Sequence, residues 1–145
     1  MRVTADKVTE PRLFITSDLH LGHKAIIQYC KRPFDFTDKG IEECDDFLLE
    51  QYRNTVNEND MVIFLGDLTF KKNHKGQKMT EIITKLPGRK VLIKGNHDWY
   101  KDSFYRKCGF SDRAPKIGLV ERFNFGLLPR FNLSLVARFN FGLPT

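Results

Sequence analysis

Three short runs of apolar residues mark the first two thirds of the chain, and each leads directly into a polar loop. The runs cover residues 13–16, 61–65 and 91–93, and they consist largely of isoleucine, valine, leucine and phenylalanine. Continuous apolar runs this short are typical of strands that are covered on both faces of a sheet. We therefore predict three buried strands.

The segments between these strands have helical spacing. The longest begins at a cap on Thr37 or Asp38, and its apolar positions keep to one helical face at Ile41, Cys44, Phe47, Leu48, Tyr52 and Val56. Shorter helices are predicted at residues 24–29, 79–86 and 99–107, and a polar loop is predicted at residues 71–78. Strands that alternate with helices indicate an α/β sheet.

Residues 122–145 follow a different pattern, an eight-residue repeat. Its units begin at Arg122, Arg130 and Arg138, and each opens with Arg-Phe-Asn. Because eight is even, a strand would place the odd-numbered phenylalanines and leucines on one face. We predict a β-prone tail over residues 118–145 that covers the core or pairs with a second copy of the chain, with homo-oligomer formation favoured. A recent duplication or an altered reading frame explains the repeat equally well.

Length and composition restrict the class of protein. The chain has 145 residues, 41% of them hydrophobic and 29% charged, which suits one globular domain. It has no apolar run of about 20 residues, the length that a membrane helix requires, and no apolar leader. Three cysteines without close spacing indicate reduced thiols. We therefore expect a cytoplasmic protein, with no secretion and no membrane partner.

The net charge of +6 is unevenly distributed. Residues 1–57 carry eight basic and ten acidic side chains, a balance of −2, whereas residues 68–145 carry sixteen basic and five acidic ones, a balance of +11. A basic half suits an anionic partner such as a phosphate ester or a nucleic acid. Charge alone favours the simpler explanation of a lysine-rich, solvated surface.

Side chains that bind metals follow each predicted strand. They are Asp18, His20 and His23 after the first, Asp67 after the second, and Asn96, His97 and Asp98 after the third. Loops at the carboxyl ends of the strands of an open α/β sheet converge on one site. Carboxylate, imidazole and amide groups form a mixed oxygen and nitrogen set that suits Mn, Fe, Zn or Ni. A single such loop is usually only a turn or a cap, but three in succession favour a metal site.

These motifs, Asp-X-His-X-Gly-His, Gly-Asp and Gly-Asn-His-Asp, occur in an order that resembles the calcineurin-like metallophosphoesterase superfamily, and in particular its small bacterial and phage phosphoesterases. The resemblance covers about residues 13–116. It implies the two-sheet α/β sandwich of that superfamily, here truncated. It also implies a metal-dependent hydrolase that cleaves phosphomonoesters or phosphodiesters by means of a hydroxide activated by two metal ions.

The resemblance also implies a role for each motif residue. Asp18 and His20 would hold the first of two divalent ions, with manganese favoured over iron, zinc or nickel. Asp67 would bridge both ions, and Asn96 would bind the second. His97 would be the acid beside the leaving group, Asp98 would support it, and His23 would lie near the substrate.

The chain departs from the superfamily pattern after the third strand. Its four histidines are His20, His23, His74 and His97, so the later histidine motifs that complete both metal shells are missing. We therefore expect a metallophosphoesterase-like domain over residues 1–117 with weakened activity, followed by the tail. The alternative is a truncated, non-enzymatic homologue that binds metal or phosphate. A nucleic-acid-binding module is a third hypothesis, with less support because the usual aromatic and basic signatures are absent.

Overall fold

A computed structural model of the chain describes residues 10–113, with side chains as far as Phe110. The predicted tail at residues 118–145 and the predicted domain boundary therefore lie outside the described residues. The larger elements are strands β1 (Leu13–Thr16), β2 (Met61–Phe64), β5 (Arg89–Leu92) and β6 (Phe110–Arg113), and helices α1 (Ala25–Tyr29), α2 (Asp38–Thr55), α3 (Met79–Thr84) and α4 (Asp102–Lys107). Two-residue strands β3 (Asn73–His74) and β4 (Gln77–Lys78) form a small hairpin.

Four strands form one parallel sheet in the order β1-β2-β5-β6. Helices lie between successive strands along the chain, so the predicted α/β class is confirmed. All of these strands run in the same direction, and their carboxyl ends therefore meet at one edge of the sheet. That edge carries the loops with the predicted site residues.

The structure corrects several predicted elements. β5 begins at Arg89 rather than at residue 91, because Arg89 and Lys90 pair with β2. β6 was not predicted, because its polar sequence lacks an apolar run. α4 begins at Asp102 rather than at residue 99, and the predicted loop at residues 71–78 contains the β3–β4 hairpin.

Helix α2 is the longest helix described, and it packs its apolar face on the sheet. Thr37 caps its first turn by accepting a hydrogen bond from the Gly40 amide at 2.9 Å. Its buried residues include Ile41, Cys44, Leu48 and Tyr52, as the spacing predicts. Phe47, which was assigned to the same face, is 39% exposed and contacts Phe34. None of the helices among residues 10–113 is long and apolar enough to span a membrane.

A buried carboxylate joins the beginnings of β1 and β2. Asp60 is 2% exposed, and it accepts hydrogen bonds from the Arg12 amide at 2.9 Å, from Arg12 Nη2 at 2.7 Å and from the Asn57 amide at 2.7 Å. Burial by itself raises the pKa of Asp60, but these bonds outweigh it and hold the pKa below the ordinary value of 3.8. The ionised form therefore stabilises the fold.

We expect Asp60→Asn to lower the free energy of unfolding by about 1.5–3 kcal/mol at neutral pH, because an ionised acceptor of several hydrogen bonds is lost. The native pKa is depressed, so this stabilisation is present above the ordinary value of 3.8 and is lost as the pH falls through the native pKa. The difference in the free energy of unfolding between wild type and variant, measured in urea, should thus become smaller as the pH falls below about 4. Glu58→Gln, an exposed neighbour, is the control; an equal loss there would contradict the assignment.

Candidate metal centre

The loops that follow β1 and β2 run side by side at the carboxyl edge of the sheet. The Asp18 amide donates to Gly66 O at 3.2 Å and the His20 amide donates to Asp67 O at 2.9 Å. Further along, the Leu21 amide donates to a carbonyl of the second loop at 3.1 Å. These backbone bonds fix the register between the two loops and place their acidic and imidazole side chains together.

Asp18, His20 and Asp67 form a cluster, which we call the acid–histidine cluster. One ligand atom from each lies within 4.8 Å of the other two. The Nε2 atom of His20 is 3.5 Å from Asp18 Oδ1 and 3.6 Å from Asp67 Oδ2. Two ligands of one ion at about 2.1 Å stand about 3.0–3.5 Å apart. The separations in the cluster are thus close to those of donors arranged around a common ion.

The backbone of all three cluster residues is left-handed. The φ angles are 56° at Asp18, 49° at His20 and 55° at Asp67, and only two other non-glycine residues between positions 10 and 113 have a positive φ. Such a conformation costs on the order of 1–3 kcal/mol at each residue and tends to concentrate at functional sites. The cluster is therefore held by loops that carry conformational strain.

Two glycines let the loops after β2 and β5 touch. A Cβ atom on Gly66, whose φ is 104°, would lie 2.4 Å from the Gly95 amide nitrogen. A Cβ atom on Gly95 would lie 2.4 Å from Asp67 Oδ1. Side chains at either position would push the two loops apart, so the glycines of the Gly-Asp and Gly-Asn-His-Asp motifs are required for packing.

Asp98 fastens these two loops together. Its buried carboxylate accepts backbone hydrogen bonds from Asp67 at 2.8 Å, from Leu68 at 3.0 Å and from Gly95 at 2.8 Å. The amide of His97 in turn donates to Asp67 Oδ1 at 3.0 Å. The support that we predicted Asp98 to give His97 would thus act through the loop backbone, which also orients Asp67.

His97 faces the cluster from the loop that follows β5. Its ring centroid lies 5.7 Å from that of His20. Its Nδ1 atom is buried and has no hydrogen-bond partner within the described residues. Asn96, the neighbouring residue, is exposed, and its carbonyl oxygen accepts a hydrogen bond from the Trp99 indole at 2.8 Å. The metal role of Asn96 and the acid role of His97 stay predictions.

His23 lies beside His20, with their Nδ1 atoms 3.4 Å apart. Burial lowers the pKa of both imidazoles below the ordinary value of 6.5. The carboxylates of Asp67 and Asp18 oppose this effect at His20, whereas the neighbouring histidines reinforce it at His23. Both rings are therefore neutral at pH 7, and a neutral imidazole is the form that binds a metal.

Sequence reasoning missed Phe70, which contacts the three histidines of the site. Its ring stacks on His23 at 4.1 Å and on His20 at 5.3 Å, and it contacts His97 at 5.1 Å. Its amide donates to Leu21 O at 2.8 Å, so the backbone pairing of the two loops places it there. A single phenylalanine in a polar segment gives no pattern from which this position could be inferred.

Sequence reasoning also missed Asp45, a fully buried carboxylate on α2 with 0% exposure. Its two oxygens accept hydrogen bonds from the Gly22 amide at 3.0 and 3.1 Å. The ammonium group of Lys71 donates a further hydrogen bond to Oδ2. Burial raises the pKa of Asp45, and the bonds from Lys71 and Gly22 counteract this. Asp45 thereby ties both loops of the acid–histidine cluster to α2. The interruption of an apolar helical face by an acid was the signal available for it.

Comparisons with known proteins show which family the chain resembles. A family model described as calcineurin-like phosphoesterase matches residues 11–140. An uncharacterized protein of Methanocaldococcus jannaschii is 40% identical over 93 residues, which are 64% of this chain and 50% of that protein. The Gene 66 protein of Mycobacterium phage L5 is 38% identical over 86 residues, 59% of this chain and 39% of that protein.

A solved structure is also similar. It is a protein of unknown function from Aquifex aeolicus, with a TM-score of 0.52 and 33% identity, and the match covers 68% of this chain and 48% of that one. The chain thus spans half or less of the length of the relatives that it matches.

Proposed function

The chain belongs to the calcineurin-like phosphoesterase family, and from that premise we propose that it is a metal-dependent phosphoesterase centred on Asp18, His20 and Asp67. The observation that carries the proposal is the convergence of these three donor side chains at the carboxyl ends of β1 and β2. Proteins of this family generally bind divalent metals. The expected ions are two, with manganese favoured over iron, zinc and nickel.

Two observations support the fit between these residues and divalent metal ions. Two carboxylates and a neutral imidazole supply the oxygen and nitrogen donors that first-row divalent metals accept. The second observation is the buried Nδ1 atom of His97, which has no hydrogen-bond partner among residues 10–110. Asp18 and His20 would hold one ion, Asn96 the other, and Asp67 both.

Bound divalent ions supply positive charge that acidifies a water molecule and offsets the charge of the phosphoryl oxygens. The reaction that we propose is hydrolysis of a phosphate ester. Water adds to phosphorus as the bond between phosphorus and the ester oxygen breaks, and the departing oxygen takes up a proton from the protonated imidazole of His97. The proton that the attacking water loses returns the imidazole to its protonated form, so the step leaves the side chain unchanged. The carboxylate of Asp67 accepts a hydrogen bond from the His97 amide, and this bond holds His97 beside the cluster.

A second candidate is a homologue that binds metal or phosphate without turnover. It is favoured by one observation, that the sequence contains no histidine after His97, whereas the family pattern has further imidazole ligands there. With fewer ligands, the ions would be held less tightly and the charge at phosphorus would be offset less completely.

The experiment that separates the two candidates uses the full chain, stripped of metal and then loaded with manganese. The phosphoesterase proposal predicts hydrolysis of p-nitrophenyl phosphate or its bis-ester that requires manganese and is removed by a chelator. Binding of manganese without turnover of either ester would support the non-enzymatic candidate. Absence of manganese binding would contradict the phosphoesterase proposal and the metal-binding form of the second candidate, since both depend on the acid–histidine cluster. Only a homologue that binds phosphate without metal would then be left.

A further inference from the structure

An aromatic surface lies beside the acid–histidine cluster, and the hydrolysis described above makes no use of it. We call it the aromatic platform, and it consists of the rings of Phe70 and Trp99. The two centroids are 5.3 Å apart with the planes at 70°, which is the edge-to-face arrangement that aromatic pairs favour. Phe70 connects the platform to the cluster through its stacking contacts with His20 and His23.

Trp99 is exposed but not free to turn. Its side chain is 69% accessible to solvent, while its indole nitrogen donates to the Asn96 carbonyl at 2.8 Å and its ring lies 5.8 Å from that of His97. An aromatic ring that is held in place before binding loses little conformational entropy when a flat group stacks on it. The platform is therefore a preformed stacking surface at the edge of the site.

We propose that the aromatic platform binds the base of a nucleotide whose phosphate lies at the acid–histidine cluster. This inference rests on the proposed function, because that function places the phosphate. Bases stack on exposed aromatic side chains, and the contact is largely independent of base identity. The platform thus selects phosphate esters of nucleosides over those without a planar group.

The spacing favours a nucleoside over a simple aryl group. Trp99 contacts His97 and Phe70, and these residues contact His20, so the exposed indole lies one ring beyond the cluster. In an aryl phosphate the ring is bonded directly to the ester oxygen. In a nucleotide the sugar separates the phosphate from the base, which matches a stacking surface removed from the cluster by one ring.

Trp99 is the only tryptophan of the chain, so its fluorescence reports on the platform alone. The full chain in the presence of manganese is titrated with adenosine 5′-monophosphate and, separately, with ribose 5-phosphate, which lacks the base. We expect the nucleotide to quench the fluorescence and to bind about tenfold more tightly than the sugar phosphate, given the usual strength of base stacking. Equal affinities, or no binding of the nucleotide, would overturn the proposal.

Calorimetric titrations of variants test whether Trp99 causes the preference for the nucleotide over ribose 5-phosphate. Trp99→Ala should remove most of the preference for the nucleotide and leave the affinity for ribose 5-phosphate unchanged, whereas Trp99→Phe should retain much of it. Phe47→Ala is the matched control, since Phe47 is a partly exposed aromatic residue that contacts Phe34 on another surface. If Trp99→Ala weakened both ligands equally, the residue would be structural and the platform would not be a base subsite.

A third titration identifies the source of the nucleotide. A single-stranded tetranucleotide with a 5′-phosphate presents the same base and phosphate as the mononucleotide. Tighter binding of the mononucleotide would identify free nucleotides as the ligand of the subsite, and tighter binding of the tetranucleotide would identify the ends of nucleic acids. Both results support the subsite. These measurements report binding and do not depend on turnover. If the chain preferred the nucleotide but hydrolysed no ester, the base subsite would be supported and only the proposed hydrolase activity would be contradicted. Turnover without a base preference would contradict only the subsite.

Discussion

Asp67→Asn should abolish metal-dependent hydrolysis, with turnover lowered at least about a thousandfold, while the chain keeps its fold. Asp67 is the one member of the acid–histidine cluster that is assigned to both ions, and its Oδ2 atom lies 3.6 Å from His20 Nε2. Asparagine has nearly the same volume and retains one oxygen that can accept the His97 amide, as Asp67 does at 3.0 Å. The change therefore removes negative charge from the cluster with little effect on packing.

The measurement for this variant combines turnover, bound manganese and thermal unfolding. Asp46→Asn is the control, because Asp46 is a carboxylate on α2 that pairs with His74 and Lys75 rather than with the cluster. We expect the control to retain both metal and rate. A variant at position 67 that kept its rate would contradict the bridging role, and one that lost its rate only through unfolding would leave Asp67 with a structural role.

His97→Ala should lower turnover by about 10²–10⁴-fold and leave the content of bound manganese nearly unchanged. The imidazole is assigned to the leaving oxygen and not to a metal, and its ring centroid lies 5.7 Å from that of His20. The loop would keep its position, because the Asp98 carboxylate holds the Gly95 and Asp67 amides independently of the imidazole. The loss should thus fall on the chemical step.

Esters with different leaving groups test that role. A good leaving group such as p-nitrophenolate needs little protonation, so we expect the loss caused by His97→Ala to be smaller for p-nitrophenyl phosphate than for an alkyl phosphate. Loss of manganese from the variant would contradict the assignment, and so would a loss of rate that is the same for both esters. The alkyl ester with the wild-type chain provides the reference rate.

The parts of the site that the sequence predicted are those encoded by local pattern. A short apolar run that ends in Asp18 and His20, and another that ends in Asp67, predict strands with polar loops at their carboxyl ends. Parallel pairing of β1 with β2 then brings those loops together. The α/β class and the family were predicted for the same reason, and both are confirmed.

The parts that were missed depend on contacts between residues far apart in the chain. Asp98 was predicted as a support of His97, but its bonds to amides about thirty positions earlier were not. Asp45, which was not predicted at all, bonds to the Gly22 amide of the first loop. Phe70 reaches the histidines because the loops pair through their backbones. Strand β6 forms by pairing with β5, across an irregularity between Lys90 and Val91, and not from its own composition.

The predictions for the repeat lie outside the described residues and stay predictions. They concern homo-oligomer formation through residues 118–145 and the boundary after residue 117. The family model does extend to residue 140, which includes much of the repeat.

We propose that Asp18, His20 and Asp67 together hold a divalent metal, and the proposed hydrolysis depends on that ion. The most direct test is a crystal of the full chain grown with manganese, measured at a wavelength where manganese scatters anomalously. We expect an anomalous peak in contact with an oxygen of Asp18, a nitrogen of His20 and an oxygen of Asp67. Manganese peaks elsewhere in the crystal with none at this cluster would contradict it.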